Sequence, residues 1–264
     1  MMAPARRKIG SLQRALDILD AFGEQSSMLG ITELSDTLGL HKSTVAGLVY
    51  TLELNGYLEQ DPATRKYRLG LKLVERAFTM LDQMDLRAVA LPHLKKLQEW
   101  SGESVFLAVR DGAHVVYIEQ LVSSQPLGMR AKLGFRAPVQ TTSLGKALLS
   151  ALPKEDWEQM VSVHGLPALT PNSITEKARF IEELERTSER GYSLDDEENE
   201  LGVRCVGAPI FDHRAQPVAA LSVSAPLQRF PAADVPHRGQ RVAETAQAIS
   251  TALGYGFLTE GHGR

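Results

Sequence analysis

Residues 31 to 70, ITELSDTLGLHKSTVAGLVYTLELNGYLEQDPATRKYRLG, constrain the fold more than any other stretch. ITELSDTLG reads as a short helix with Thr32 as N-cap, Ser35 close behind and Gly39 as its end. GLHK then makes a tight turn, because Gly39 can take the positive φ that a sharp reversal between helices needs. Beyond it, Val45, Leu48, Val49 and Leu52 recur at i, i+3, i+4 and i+7, so they share one face of a helix that Gly56 ends. YLEQ and KYRL are strand-like runs around the turn DPATR, where Pro62 suits a turn position. Upstream, Ser11 can cap a helix through LQRALDILDAF, with Leu12, Ala15, Leu16 and Leu19 at helical spacing and Gly23 at its end. Helix, helix, turn, helix, hairpin is the order of a winged helix-turn-helix.

The third helix has an unusual outward face. Opposite its apolar stripe lie Ser43, Ala46, Gly47, Tyr50 and Leu54, flanked near the start by Lys42 and Thr44. A mid-helix glycine costs about 1 kcal/mol relative to alanine, so an ordinary solvated helix has no reason to keep it. The hairpin supplies Arg65, Lys66 and Arg68. A helix laid in the DNA major groove beside a phosphate-contacting wing uses such a face, and its N-terminal N–H groups suit a phosphate. Candidate contacts to double-stranded DNA are therefore Lys42, Ser43, Thr44, Ala46, Gly47, Tyr50, Arg65, Lys66 and Arg68. The plain alternative is a surface helix of a bundle. Arg6, Arg7, Lys8 and Arg14 form a basic arm, which charge alone assigns first to a solvated terminus and second to phosphate contact.

Overall charge does not decide the matter, since 29 basic residues against 32 acidic ones leave a net charge of −3. At 43% hydrophobic and 23% charged, the 264 residues are enough for one large or two modest buried cores. The single cysteine, Cys205, allows no disulfide within the chain, fits a reducing cytosol and excludes a zinc site built from several thiolates. No apolar run reaches about 18 residues, so no transmembrane helix is expected. The basic N-terminus lacks the apolar stretch of a secretory signal.

Residues 71–101 read as helical linker segments between domains 1–70 and 102–264, with a break near Gln83 to Asp85, Asp85 capping the second half and a kink at Pro92. From Ser104 the pattern becomes mixed α+β. SVFLAVRDGAHVVYIEQL is a hairpin around Asp111-Gly112. Helices follow over Leu144 to Leu152, 153–163 and 175–190. YSLDDEEN, VRCVGAPIFD and PVAALSVSAP return to strands, with a turn at DHRAQ, before a last helix from Ala232 to Leu253.

Several polar residues of this domain fall where a ligand could use them. Ser143, Leu144 and Gly145 open a helix, where backbone N–H groups and the dipole favour a carboxylate. Ser222 and Ser224 face one side of an apolar strand, and Val203, Cys205 and Gly207 share a face of another. Asp195 opens an acidic run in which Asp196, Glu197 and Glu198 read as a solvated loop. Cys205 with His213 or His164 is the nearest approach to a nucleophile and base, and no phosphate loop or dinucleotide glycine pattern is present. The expected class is a DNA-binding protein and not an enzyme. A metabolite sensor that does not bind DNA, or a small-molecule enzyme using Cys205, are the alternatives.

SLQRALDILDAF, ITELSDTLGLHKSTVAGLVYTLELNGYLEQD and KYRLGLKL, in that order, resemble the winged helix-turn-helix of the IclR family of bacterial transcriptional regulators. GFRAPVQTTSLGKALLSALP, DDEENELGVRCVGAPIFD and PVAALSVSAP are similar to the family's effector-domain motifs, so the resemblance spans nearly the whole chain. It implies an α+β protein with an N-terminal winged helix-turn-helix, a helical linker and a C-terminal GAF-like effector-binding domain. It implies a cytoplasmic homodimer or tetramer whose hold on a DNA operator, as a repressor in many members, responds to a small organic or aromatic acid. Effector contacts carry over to Met129, Ser143, Leu144, Asp195, Val203, Cys205, Ser222 and Ser224, with no cofactor, metal or membrane partner. One departure is Gly47, which stands where members commonly carry a basic residue, so the operator sequence is expected to differ.

Overall fold

The computed structural model describes residues 9–23, 26–82 and 85–256. Arg6, Arg7 and Lys8 of the basic arm and the expected helix break at Gln83 lie outside these residues. The chain forms two compact units, Met1–Met84 and Asp85–Arg264.

The first unit contains α1 (Gly10–Asp20), α2 (Ile31–Leu38), α3 (Lys42–Leu54), β1 (Leu58–Gln60), β2 (Tyr67–Leu69) and α4 (Lys72–Asp82). Ile18, Phe22, Leu34, Val45, Val49, Leu58 and Tyr67 make its core, and each large aliphatic side chain buried there contributes about 1.5–3 kcal/mol. Gly39 closes α2 in the left-handed region at φ 63°, as its place in the sequence requires. The Ser35 hydroxyl donates to the Leu40 carbonyl at 2.5 Å and fixes the turn into α3. β1 and β2 pair antiparallel, with Glu59 opposite Arg68. This is the winged helix-turn-helix order.

The helix starts differ from the expected ones. α2 is entered at Gly30, whose N–H donates to the Glu33 carboxylate at 2.6 Å, so Thr32 lies inside the first turn and is not the cap. α1 is entered at Ile9 without a side-chain cap, leaving Ser11 within the helix. Its buried side is Ile18 with Leu19 and Phe22, whereas Leu12 and Leu16 are exposed. Gly23 follows the helix end and bridges to Ser26.

The second unit is a six-stranded antiparallel sheet between two layers of helices. Its strands are β3 (Ser104–Asp111), β4 (His114–Leu121), β5 (Arg136–Pro138), β6 (Ser193–Asp196), β7 (Val203–Phe211) and β8 (Pro217–Pro226). Their order is β5-β4-β3-β8-β7-β6. The β3–β4 hairpin forms as expected, but its turn is Gly112 and Ala113, one position later than Asp111-Gly112, with Gly112 at φ 62° and Asp111 paired with His114. The helices are α5 (Asp85–Ser101), α6 (Ser143–Ser150), α7 (Lys154–His164), α8 (Lys177–Arg190) and α9 (Val235–Ala252). α5 is described from Asp85 onward, and Pro92 lies inside that helix.

On one face of the sheet, Phe106, Ala108 and Ala220 pack with Leu144, Ala147 and Leu148 of α6, Trp157 of α7 and Phe180 of α8. α5 and α9 pack against the central strands β3, β4, β7 and β8 from the other face. All eight residues of α6 are buried. Gly145 makes this possible, because a Cβ there would stand 2.2 Å from the Val139 carbonyl oxygen. Thr142 caps α6 by accepting the Gly145 N–H at 3.1 Å. The β6–β7 pairing ends at Ser193 and Gly207. Beyond it the outer edge of β7 has no strand neighbour among the described residues. There Pro209 has no N–H to offer, and the Phe211 N–H donates to the Ser250 hydroxyl at 2.9 Å.

Candidate functional site

On α3, Val45 and Val49 are fully buried while Lys42, Ser43, Gly47 and Tyr50 are exposed, with Thr44 and Ala46 half-buried beside them. The outward face of the helix is therefore the one its periodicity predicts. A Cβ built on Gly47 meets nothing within 4 Å, so the bare patch does not serve packing inside this unit. Hydrogen bonding at the helix start runs from Thr44 and Val45 to the His41 carbonyl, and the N–H groups of Lys42 and Ser43 have no acceptor among the described residues.

The hairpin cations are not equivalent. Lys66 donates to Glu33 at 2.7 Å, tying the hairpin to the start of α2, and Arg68 pairs with Glu59 at 2.9 Å across the strands. Each pair holds its carboxylate below the usual range, chiefly through the hydrogen bond itself. Both pairs are half-exposed and screened, so a phosphate can compete for either cation. Arg65 stands at the turn with φ 60° and no ion pair among the described residues. The Asp61 carboxylate beneath it accepts the Ala63 and Thr64 N–H groups and the Thr64 hydroxyl. The basic tip is thus set by local bonds.

In the second unit, strand register gathers the expected effector residues. Asp195 pairs with Cys205, Cys205 with Ser224, and Ser224 with Ser104. The next row on the same side of the sheet runs Ser193, Gly207, Ser222, Phe106. Val203 lies two residues before Cys205 on that face, opposite Pro226. α6 stands over this floor. The Ser193 hydroxyl donates to the Ser143 carbonyl, and a Cβ on Gly207 would meet that carbonyl at 3.0 Å. Met129 comes in from the far side, where its carbonyl accepts the Ser104 hydroxyl at 2.7 Å. Its side chain joins Leu144, Phe106 and Tyr117 in one apolar cluster, with Tyr117 edge-on to Phe106 at 5.5 Å. All eight expected residues therefore line one region between α6 and the sheet.

Several polar groups there are unspent. The N–H groups of Ser143 and Leu144 and the Ser222 hydroxyl have no partner among the described residues, although these residues are buried. The Cys205 thiol lies between Asp195 and Ser224 in the strand register, and burial pushes it well above its usual range. It is a neutral thiol, and neither His213 nor His164 contacts it: His213 is bonded to Arg214 beyond the end of β7, and His164 ends α7. The nucleophile and base considered from the sequence are not assembled.

One expectation is corrected. Glu198 is not part of a solvated loop: it is buried, and its Oε1 accepts from the fully buried Lys146 ammonium of α6. Its Oε2 has no hydrogen-bond partner among the described residues. Asp196 is half-exposed and pairs with Arg204, and Glu197 accepts the Gly202 N–H. The loop is held from outside as well, since Thr170 and Ser173 donate their hydroxyls to the Glu197 and Glu198 carbonyls at 2.6 Å. Tyr117, Ser104, Lys146 and Glu198 were not singled out as site residues in the sequence. A lysine inside GKALLS and a serine opening SVFLAV were the available signals.

Asp195 accepts the Glu198 and Asn199 N–H groups on Oδ1 at 2.9 and 3.2 Å. Burial pushes its pKa up to about 7, opposed by the Lys146 ammonium and reinforced by Glu198. Burial likewise raises Glu198, against the pull of Lys146, and raises Tyr117. Between the unfolded value of 3.8 and about 7, folded Asp195 keeps a proton that the unfolded chain releases. Its contribution to stability is therefore greatest at the acid end of that window, falls as pH rises, and levels off above it. The slope is at most about 1.4 kcal/mol per pH unit. Asp195→Asn should remove this component, so the difference in unfolding free energy between variant and parent changes from pH 4.5 to 7 and is flat from 7.5 to 8.5. A constant difference across both ranges would show that Asp195 does not titrate there.

Comparison with known proteins agrees with this architecture. The profile of the IclR helix-turn-helix domain matches residues 11–62, and that of the bacterial transcriptional regulator IclR C-terminal domain matches residues 78–251. The HTH-type transcriptional regulator XynR of Escherichia coli (strain K12) is 38% identical over 247 residues, 94% of this chain and 98% of its own. The transcriptional repressor IclR of the same strain is 33% identical over 254 residues, 96% of this chain and 93% of its own. The crystal structure of the Thermotoga maritima IclR superposes with a TM-score of 0.77 at 31% identity, covering 94% of this chain and 100% of that one. An IclR homologue from Microbacterium hydrocarbonoxydans, complexed with 4-hydroxybenzoate, superposes with a TM-score of 0.81 at 28% identity, covering 92% and 98%. Among the described residues no helix is long and apolar enough to cross a membrane. The chain belongs to the IclR family of bacterial transcriptional regulators, proteins that act by binding DNA.

Proposed function

We propose that the second unit binds a small carboxylic acid and that this binding resets the affinity of the first unit for its operator. The carrying observation is the set of unspent donors between α6 and the sheet: the Ser143 and Leu144 N–H groups and the Ser222 hydroxyl. Two N–H groups at a helix start hold a carboxylate without any arginine, helped by the dipole. Leu144, Phe106, Tyr117 and Met129 enclose the apolar body, while Ser222, Ser224, Cys205 and Asp195 address a second polar function. The 4-hydroxybenzoate of the Microbacterium homologue has this composition, a carboxylate and a hydroxyl on a ring. The protein then works in the cytoplasm as a homodimer or tetramer, placing two copies of α3 in half-sites one helical turn or a multiple apart. An acid that binds the two arrangements unequally shifts operator affinity by about 5- to 150-fold.

The test is a mobility shift with DNA upstream of the protein's own and adjacent genes, repeated with a panel of small acids. A salt-sensitive specific shift that one acid strengthens or weakens at least fivefold is expected. A specific shift that no acid changes would remove the effector role and leave the DNA-binding one.

On α3, Lys42, Ser43, Thr44, Ala46, Gly47 and Tyr50 face the groove, and Arg65, Lys66 and Arg68 face the backbone. Because the space over Gly47 is open, Gly47→Arg can be accommodated without refolding the helix. It adds a side chain able to clamp a guanine, a contact worth about 1–3 kcal/mol of discrimination. Selection from random DNA should return a different preferred sequence for the variant. An unchanged preference and affinity would take this face of α3 out of the groove.

A further inference from the structure

Asp195 is the carboxylate on the floor of the proposed acid site, and the groups packed around it restrict what can bind. The Glu198 N–H of the following loop bonds to it, Cys205 stands opposite it on β7, and the charge of Lys146 on α6 acts on it through space, as its own charge acts on the Tyr117 phenol of β4. Glu200 acts on Cys205, and Glu183 of α8 acts on Glu198. Lys146 is the single cation of this group, and its ammonium is already spent on Glu198. With Asp195 ionised, one positive charge faces two buried negative ones before any ligand arrives. An acid docked on the α6 N-terminus adds another negative charge where little solvent remains to screen it.

Protonation of Asp195 relieves this. The Glu198 and Asn199 N–H groups occupy Oδ1. Oδ2 takes neither of those backbone bonds, so it can carry the proton and donate it towards a neutral oxygen of the ligand. The rest of the floor is neutral too: the Cys205 thiol, the Ser222 and Ser224 hydroxyls and the Tyr117 phenol. Only the α6 end of the site suits an anion.

We infer that the site takes a monocarboxylate together with one proton, held on Asp195, and excludes dicarboxylates. This rests on the acid-binding role proposed above. The proton comes from solvent as the anion enters and returns to it as the anion leaves. Above the midpoint of Asp195 each pH unit therefore weakens binding, by up to about tenfold.

The test is calorimetric titration of the full-length protein with acetate, benzoate and 4-hydroxybenzoate, and with the diacids succinate and terephthalate. Running each at pH 5.5 and pH 8 in two buffers of different ionisation enthalpy counts the protons exchanged. Any monocarboxylate that binds should take up close to one proton at pH 8 and almost none at pH 5.5, and its matched diacid should bind at least 100-fold more weakly. In Asp195→Asn the proton uptake should vanish, affinity should become independent of pH, and the gap to the diacid should narrow at least tenfold. Glu198→Gln provides a second variant. It keeps Asp195 but leaves Lys146 to it alone, so the uptake window should move to lower pH. Binding without proton uptake, or a diacid as tight as its monoacid, overturns the inference and leaves the acid site standing. If no monocarboxylate binds, the acid site falls and the inference with it.

Discussion

Replacing Lys146 with alanine should lower the unfolding free energy of the second unit by about 3–5 kcal/mol, the usual loss when one partner of a buried ion pair is removed. The lysine is fully buried and its partner Glu198 nearly so, and Glu198 already has one oxygen without a hydrogen bond. The loss comes from the charge left behind more than from the pair itself. The double variant Lys146→Met with Glu198→Gln should therefore recover most of the stability. Both tryptophans, Trp100 and Trp157, lie in the second unit, so fluorescence follows that unit alone. Trp157 also donates its indole N–H to the Leu149 carbonyl of α6 at 2.6 Å, so it reports on the helix that carries the lysine. With a slope of about 1–3 kcal/mol per molar urea, the single variant should unfold more than about 1 M urea earlier. A midpoint equal to that of the parent would mean that the two charges are not buried together.

Gly145→Ala should cost about 3 kcal/mol, at the upper end for adding one carbon to a full interior. The added methyl would sit 2.2 Å from the Val139 oxygen and 2.3 Å from its Cα, backbone atoms that cannot swing aside. α6 would have to back away from the chain entering it, and the Ser143 and Leu144 N–H groups would move with it. Acid binding should fall at least tenfold in the same variant. The control is Gly47→Ala on α3, where the space is empty and the helix gains about 1 kcal/mol by losing a glycine. The same substitution thus has opposite signs at the two sites. A Gly145→Ala protein as stable as its parent would show that the close approach of α6 to Val139 is relaxed in solution.

The first unit was largely legible because its signals are local. Val45 and Val49 repeat at helical spacing, Gly39 marks a left-handed turn, and Pro62 sits within DPATR between two short strands. Helix entrances were misplaced where the deciding bond is made by a residue inside the helix, as Glu33 does for Gly30. β5 escaped notice because three residues are too few to show alternation, and Arg136 to Pro138 become a strand only by pairing with β4. The eight expected effector residues emerged as a set only through the family resemblance; spacing by itself places Ser222 and Ser224 on a shared face and no more. Glu198 did not, since a run of acids looks solvated. Its partner lies 52 residues earlier, in a helix whose surroundings on every side only the tertiary structure supplies.

The outer edge of β7 carries a consequence for the protein in a crowded cell. A strand edge with a full row of free donors invites a neighbouring molecule to extend the sheet, and such extension has no natural end. Past Gly207 this edge meets Pro209, which has no hydrogen to give, and then Phe211, whose N–H is taken by Ser250. A stray strand arriving there would find carbonyl oxygens and nothing to donate. That stretch of the sheet's edge is thereby closed to further pairing by the chain's own sequence.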